Sequence, residues 1–77
     1  MSIQVLFFAS LRERLGRSAG AVEAAGALTA ADVWARAAGG EPMPVNTLIA
    51  VNMEYAEPAR EVKDGDEVAF FPPVTGG

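Results

Sequence analysis

The sequence predicts one small α+β domain in which a single main helix packs across a mixed β-sheet. The chain has 77 residues, a length that allows one domain, so we expect residues 1–77 to fold as a unit. Its two most apolar segments, 3–9 and 67–71, lie near opposite ends and have the composition of strands. A segment with helix-capping residues lies between them. These observations indicate one core to which both ends of the chain contribute.

The first strand is predicted at residues 3–9, IQVLFFA, because this segment is rich in β-branched and aromatic residues. Successive side chains of a strand point to opposite faces, and the one polar residue marks the wetter face. The two predicted faces are Ile3, Val5 and Phe7 on the drier side, and Gln4, Leu6 and Phe8 on the wetter side.

A short first helix is predicted in the segment SLRERLG. Ser10 and Glu13 have the spacing of a capping box, and Gly16 can end the helix in a left-handed conformation. Residues 21–25, AVEAA, follow as a second strand with weak intrinsic preference, since alanine favours strands little.

The main helix is predicted in the segment LTAADVWARAAGG. Thr29 can cap its first turn, and Leu28 and Val33 occupy the two positions of a hydrophobic staple. Gly39 offers a left-handed end to the helix.

The remaining elements are predicted from turn residues and short apolar runs. Residues 41–44 contain two prolines and form a loop, residues 47–52 form a third strand, and 52–56 turn into a short fourth one. Residues 63–66, KDGD, make a glycine turn that leads into the last strand at 67–71.

The strand faces predict where the core lies. Val68 and Phe70 join the drier face of the first strand beneath the helix that contains Trp34. One helix cannot cover both faces of a sheet, so we favour a docking surface on the opposite side. The alternative is that the loop 41–46, or side chains such as Met43 and Met53, cover it. We call this opposite side the outer face, with predicted members Leu6, Phe8, Ala69 and Phe71.

The first and last strands are the most apolar, and strands buried on both faces lie in the centre of a sheet. We therefore expect them to be neighbours there. A helix across such a mixed sheet is the β-grasp arrangement.

The composition excludes several kinds of site. The chain has no Cys and no His, which removes disulfides, thiolate or imidazole metal sites, and Cys or His nucleophiles. It also lacks a phosphate-binding glycine loop. We expect no bound metal and no bound cofactor.

The charge argues against nucleic acid and membrane partners. Ten acidic and six basic residues give a net charge of −4, the wrong sign for nucleic acid or an anionic membrane surface. The apolar run near the start is too short to span a bilayer, and no targeting signal is evident, so we expect a cytoplasmic protein. A partner with a basic docking face fits this charge better.

The last six residues, 72–77, have the features of an extended tail. Pro72 and Pro73 cannot donate to a sheet ladder, and their fixed φ stiffens the exit. Six residues reach about 20 Å, and two glycines can pass through a narrow channel. The tail thus predicts a C-terminal carboxylate used as a chemical group, although a frayed terminus has the same sequence features.

A carboxylate is a poor electrophile and must be activated before it reacts. Adenylation by ATP gives a mixed anhydride, from which a sulfur donor makes a thiocarboxylate or an amine makes an amide. We expect a separate ATP-dependent activating enzyme to supply the ATP site and any thiol, and the chain to be non-catalytic alone.

The segments VLFFASLRE, AVN and GDEVAFFPPVTGG resemble the small subunits of molybdopterin synthase, the MoaD family of ubiquitin-like sulfur carriers. The resemblance extends over essentially the whole chain, although residues 17–46 match no strong family motif. It implies a ubiquitin-like β-grasp fold and a C-terminal glycine that is adenylated and converted to a thiocarboxylate. It also implies a large subunit that binds cyclic pyranopterin monophosphate, in a heterotetramer of two small and two large subunits. Sulfur from two tails would make the dithiolene of molybdopterin.

The resemblance also implies roles for individual residues. Gly77 would bear the sulfur, and the preceding residues would line the channel of the large subunit. Arg12 is a candidate partner contact, with a solvated helix charge as the alternative. The implied channel residues are Pro73, Val74, Thr75 and Gly76. The resemblance also places Phe8 and Phe71 in the docking surface, whereas Leu6 and Ala69 are assigned to it by the alternation along their strands.

Three other functions share parts of this pattern. A sulfur carrier of the thiamine pathway has the same fold and Gly-Gly end, but the segment FFPPVTGG favours the molybdopterin type. A ubiquitin-like protein modifier would join its terminus to lysines of target proteins. A plain interaction domain would have an incidental tail.

Overall fold

The computed structural model describes residues 2–23 and 28–73, which form a mixed sheet, two helices and a small second sheet. The elements occur in the order strand, helix, two strands, helix and four strands. Their bounds are β1 Ser2–Phe7, α1 Ser10–Leu15, β2 Ala19–Glu23, β3 Leu28–Thr29, α2 Ala30–Ala37, β4 Leu48–Val51, β5 Glu54–Ala56, β6 Glu61–Val62 and β7 Glu67–Phe71.

The main sheet has the strand order β2-β1-β7-β4-β5. β1 pairs in parallel with β7, and every other neighbouring pair in this sheet is antiparallel. The first and last strands are therefore neighbours at the centre of the sheet, as their apolar composition predicted. With α2 packed on one face, the architecture is the predicted β-grasp fold.

The core lies between this sheet and α2. Val5 is opposite Val68 and Phe7 is opposite Phe70 across the central strand pair. The Trp34 ring of α2 meets both Phe7 and Phe70 edge to face, with centroids 5.7 and 5.0 Å apart. Its indole N–H donates to the Glu41 carbonyl at 2.7 Å, which satisfies the one polar group of this side chain. All five predicted core residues, Ile3, Val5, Phe7, Val68 and Phe70, are at most 1% exposed.

The predicted capping box at the start of α1 is wrong. Ser10 is already the first helical residue, and the N-cap is Ala9, which has no capping side chain. The Phe8 N–H donates to the Phe70 carbonyl, so the chain still follows the sheet there and turns only at Ala9, with φ 54°. The end of α1 is as predicted, because Gly16 is left-handed at φ 74°.

The start of α2 is as predicted. The Asp32 N–H donates to the Thr29 hydroxyl at 3.2 Å, and the Thr29 N–H donates to the Asp32 carboxylate at 2.9 Å. Together these bonds form a capping box at this helix. Leu28 and Val33 are both buried, and Gly39 has φ 63° beyond the last turn.

Two elements were not predicted. Leu28 pairs with Val62 and Thr29 with Glu61, which makes β3 and β6 a separate antiparallel pair. Each strand has two residues, too few to show a periodic pattern in the sequence.

The other predicted elements are present with shifted ends. The second strand is β2, at Ala19–Glu23 rather than 21–25, and residues 24–27 lie outside the described part of the chain. The glycine turn before β7 is confirmed by Gly65, which has φ 88°. Neither helix in the described ranges is long and apolar enough to cross a membrane.

Candidate docking face and tail exit

The outer face of the sheet carries the four residues that the sequence placed there. The rings of Phe8 and Phe71 stack with centroids 4.9 Å apart and planes 6° from parallel. Leu6 is opposite Ala69 on the neighbouring strands, directly beside this aromatic pair. The four side chains line one shallow apolar depression.

The outer face is wider than the sequence indicated. Ala50 of β4 is opposite Ala69, and Tyr55 of β5 is opposite Ala50, so both belong to the same face. Met53, in the turn between β4 and β5, also lines the depression. Met53 and Tyr55 are 91% and 78% exposed, which is unusual for large apolar side chains. Alternation along β4 indicates that Ala50 lies on the face opposite to its neighbours Ile49 and Val51. Only the pairing of Ala50 with Ala69 shows that this face is the outer one.

The side chains that could have covered the outer face do not do so. Met43 packs against the core cluster, on the other side of the sheet. Met53 lines the depression but is almost fully exposed, and Phe8 remains 40% exposed. Within the described residues, the outer face is therefore open to a partner.

The tail leaves the sheet beside the aromatic pair. β7 ends at Phe71, where the prolines were predicted to stop the ladder; Pro72 is half-buried and Pro73 is exposed. Both prolines border a groove whose other wall is formed by α1 and Pro44. Pro72 directly follows Phe71, so a protein that covers Phe71 on the outer face lies close to the point where the tail begins. The other predicted tail residues, Val74, Thr75, Gly76 and Gly77, lie outside the described residues.

Arg12 is exposed on α1 and does not line this groove. Its proposed contact with a partner stays a prediction. Arg14, one turn away from the helix start, lines the groove and forms an exposed ion pair with Glu41 at 3.4 Å. Such a pair contributes about 0–1 kcal/mol, so we assign it no structural weight.

Asn52 organises the end of the sheet opposite the tail exit. Asn52 and Met53 have φ of 51° and 70°, the two positive values of a tight hairpin turn. The Asn52 side chain accepts from the Glu67 N–H at 3.0 Å and donates to the Asp66 carboxylate at 3.0 Å. Asn52 lies within the segment AVN, but nothing in the sequence connects it to residues 66 and 67.

Two aspartates in these motifs have lowered pKa values. The bond from the Asn52 side chain, and then the Lys63 backbone N–H, hold the pKa of Asp66 below its ordinary value of 3.8. The Thr29 backbone N–H, and then its hydroxyl, lower the pKa of Asp32 in the helix cap. Both groups therefore favour the charged form in the folded protein.

We expect Asn52→Ala to lower the free energy of unfolding by about 1–2 kcal/mol. The substitution removes both side-chain hydrogen bonds and places alanine at positive φ. Asn52→Gly loses the same bonds but tolerates this φ, so it should be destabilised less. Urea unfolding at neutral pH measures both values. An unchanged midpoint in Asn52→Ala would show that these bonds are not stabilising.

Stability should decrease as the pH falls through the range in which Asp32 and Asp66 take up protons. Because their pKa values are lowered on folding, they stabilise the protein above the ordinary value of 3.8 and lose this effect below it. Asp66→Asn should lose less stability than the wild type between pH 7 and pH 3. Thermal unfolding across this range tests the sign, and equal losses in the two proteins would contradict it.

Comparison with known proteins identifies relatives over the whole chain. The model of the ThiS family matches residues 5–77. The molybdopterin synthase sulfur carrier subunit of Escherichia coli (strain K12) is 44% identical, with 97% of this chain and 99% of that protein covered. The crystal structure of SAMP1 from Haloferax volcanii superposes with a TM-score of 0.84 at 27% identity, covering both chains fully. A chain in the complex of subunits 1 and 2 of the molybdopterin-converting factor from Helicobacter pylori 26695 has the same fold, with a TM-score of 0.65 at 23% identity and full coverage of both chains.

Proposed function

The chain belongs to the ThiS family, among the molybdopterin synthase sulfur carrier subunits, and we propose that it carries sulfur on the carboxyl group of Gly77. The observation that carries this proposal is the likeness to the Escherichia coli sulfur carrier subunit, at 44% identity over nearly the full length of both chains. The family match also continues through Gly77. The proposed role is sulfur donation for molybdopterin in molybdenum cofactor biosynthesis.

The proposed chemistry begins with an activating enzyme that holds ATP. The Gly77 carboxylate attacks the α-phosphorus, pyrophosphate leaves, and an acyl-adenylate forms. A sulfur nucleophile then displaces AMP and leaves a thiocarboxylate. In the large subunit, this sulfur forms a C–S bond to cyclic pyranopterin monophosphate while a C–O bond at the same carbon of that substrate breaks. Water then hydrolyses the resulting thioester, which leaves the sulfur on the pterin and releases the tail as a carboxylate. Two such transfers make one dithiolene, and the proposed assembly has two small and two large subunits.

The described residues support a docking role in this scheme. The outer face provides an exposed apolar surface, and the tail exit follows directly from Phe71 in that surface. A protein that binds Phe8 and Phe71 therefore receives the tail at a fixed starting point. We infer that the activating enzyme and the large subunit use the outer face in turn, because each must take the same tail into its own active site.

A protein modifier is the second candidate function. The likeness to SAMP1, which is the small archaeal modifier protein 1 of Haloferax volcanii, favours it. The same adenylate would then react with a lysine amine and form an amide. The two functions differ in product, since a modifier gives high-mass conjugates whereas a sulfur carrier gives free thiocarboxylate.

Intact-mass measurement on the protein purified from its own cells tests the proposal. The expected result is a population in which sulfur replaces one oxygen of the C-terminal carboxyl group. Reconstitution with the activating enzyme, ATP and sulfide should produce the same species, and addition of the large subunit with cyclic pyranopterin monophosphate should consume it. Conjugates in cell extracts without any thiocarboxylate would instead favour the modifier.

A further inference from the structure

The charges on the main sheet are all of one sign. The five strands β1, β2, β4, β5 and β7 contain no Lys and no Arg, and their only charged residues are Glu23, Glu54 and Glu67. The register places Glu67 level with Gln4 and Glu23 level with Ser2, both on the same side as Leu6. The outer face thus has an aromatic end at the tail exit and an acidic end away from it.

Glu67 is the carboxylate nearest to the apolar depression. It is half-buried and lines the depression together with Phe8, Ala69 and Phe71. Among the described residues, Glu67 has no Lys or Arg nitrogen within 4.0 Å of its carboxylate. The ion pair found in this part of the chain joins Arg14 and Glu41. Within the described residues, the Glu67 carboxylate is therefore not paired with a cationic side chain.

The backbone of Glu67 is fixed in position. Its N–H donates to the Asn52 side chain at 3.0 Å, and its carbonyl accepts from the Asn52 N–H at 2.8 Å. It also begins the central strand of the sheet, paired with β1 on one side and β4 on the other. Because these bonds hold the backbone, the Cβ of Glu67 stays at the border of the depression when a protein covers it.

A protein that docks on the outer face removes water from Glu67. A carboxylate that loses water without gaining a cation opposes binding, whereas an Arg or Lys placed against it compensates for the loss. Building on the proposed function, we propose that Glu67 is a specificity-determining contact and that the large subunit places an Arg or Lys against it. The partner surface is then apolar against Phe8 and Phe71 and basic against Glu67. Glu23, exposed at the edge of the sheet, adds a weaker attraction of the same sign.

Glu67→Gln tests this inference, with Glu57→Gln as the matched control. Both substitutions remove one negative charge, but Glu57 is exposed in the loop after β5 and does not line the depression. The dissociation constant for the large subunit is measured by calorimetry at low and high salt. Glu67→Gln should weaken binding by roughly thirtyfold or more at low salt and reduce its salt dependence. Glu57→Gln should keep wild-type values of both.

A change in salt dependence separates this contact from a structural effect, since a merely destabilised sheet would weaken binding equally at all salt concentrations. Equal or tighter binding by Glu67→Gln would overturn the inference, because the partner would then be apolar or acidic at this point. That result would leave the proposed function intact, since docking itself would persist. If the wild type does not bind the large subunit at all, the proposed function and this inference fail together.

Discussion

Deletion of Gly77 is expected to abolish thiocarboxylate formation while leaving the fold and docking unchanged. The deletion moves the terminal carboxylate back by about 3.3 Å relative to an activating site built for one tail length. A misplacement of 1 Å alone can cost on the order of a hundredfold in rate. The core residues that the structure describes end at Phe70, so the melting temperature should not change. The assay incubates each protein with activating enzyme, ATP and sulfide and follows the thiocarboxylate by mass.

Two further variants serve as controls for this result. One residue added after Gly77 keeps both glycines but shifts the carboxylate in the other direction, so it should be equally inactive. Gly77→Ala keeps the tail length and adds only a Cβ, so it should show reduced but measurable transfer. Wild-type levels of thiocarboxylate and molybdopterin from the deletion would contradict the requirement for one tail length, because the new terminal residue, Gly76, would then react as well as Gly77 does.

Phe8→Asp and Phe71→Asp are each expected to weaken binding to the large subunit by about 3 kcal/mol, on the order of a hundredfold in Kd. Each substitution breaks the stacked pair and places a charge in an interface that loses water. Phe8 is 40% exposed and Phe71 is half-buried, and neither belongs to the core cluster, so both variants should remain folded. Calorimetric titration and the melting temperature measure the two effects separately.

Ala35→Asp is the matched control for these variants. It adds the same charge on the exposed side of α2, which packs on the opposite face of the sheet. Its affinity for the large subunit should equal that of the wild type. Normal affinity in both aromatic variants would remove the docking role of the outer face, and weakening by Ala35→Asp as well would show that net charge explains the loss.

The docking variants also test whether one surface serves two partners. If the outer face is used in turn, Phe71→Asp should reduce adenylation by the activating enzyme as well as binding to the large subunit. A variant that loses only one of these interactions would show that the two partners contact different parts of the domain. Binding of Glu67→Gln to each of the two partners would then show which partner places a basic side chain against Glu67.

The sequence alone determined the elements whose signal is local and repeated. Segments 3–9 and 67–71 have enough apolar residues to identify β1 and β7, and alternation within them assigned the core and outer faces correctly. Thr29 marked the start of α2, because a capping residue acts within one turn of its helix. The likeness to a sulfur carrier family also came from the linear order of residues, above all in the tail.

Tertiary structure decided the features that depend on distant segments. Ser10 does not cap α1, because hydrogen bonding to β7 keeps the chain in the sheet as far as Phe8. The chain then turns at Ala9, and Ser10 is already the first residue of the helix. The pair β3 and β6 forms only because the fold brings residues 28 and 62 together. Strand pairing also decides the neighbours of Asn52, Met53 and Tyr55. The register of β4 with β5 and β7 brings these residues close to parts of the chain that are distant in sequence. Local pattern fixes which face a residue takes within its own strand, but the pairing of strands decides which residues share a surface.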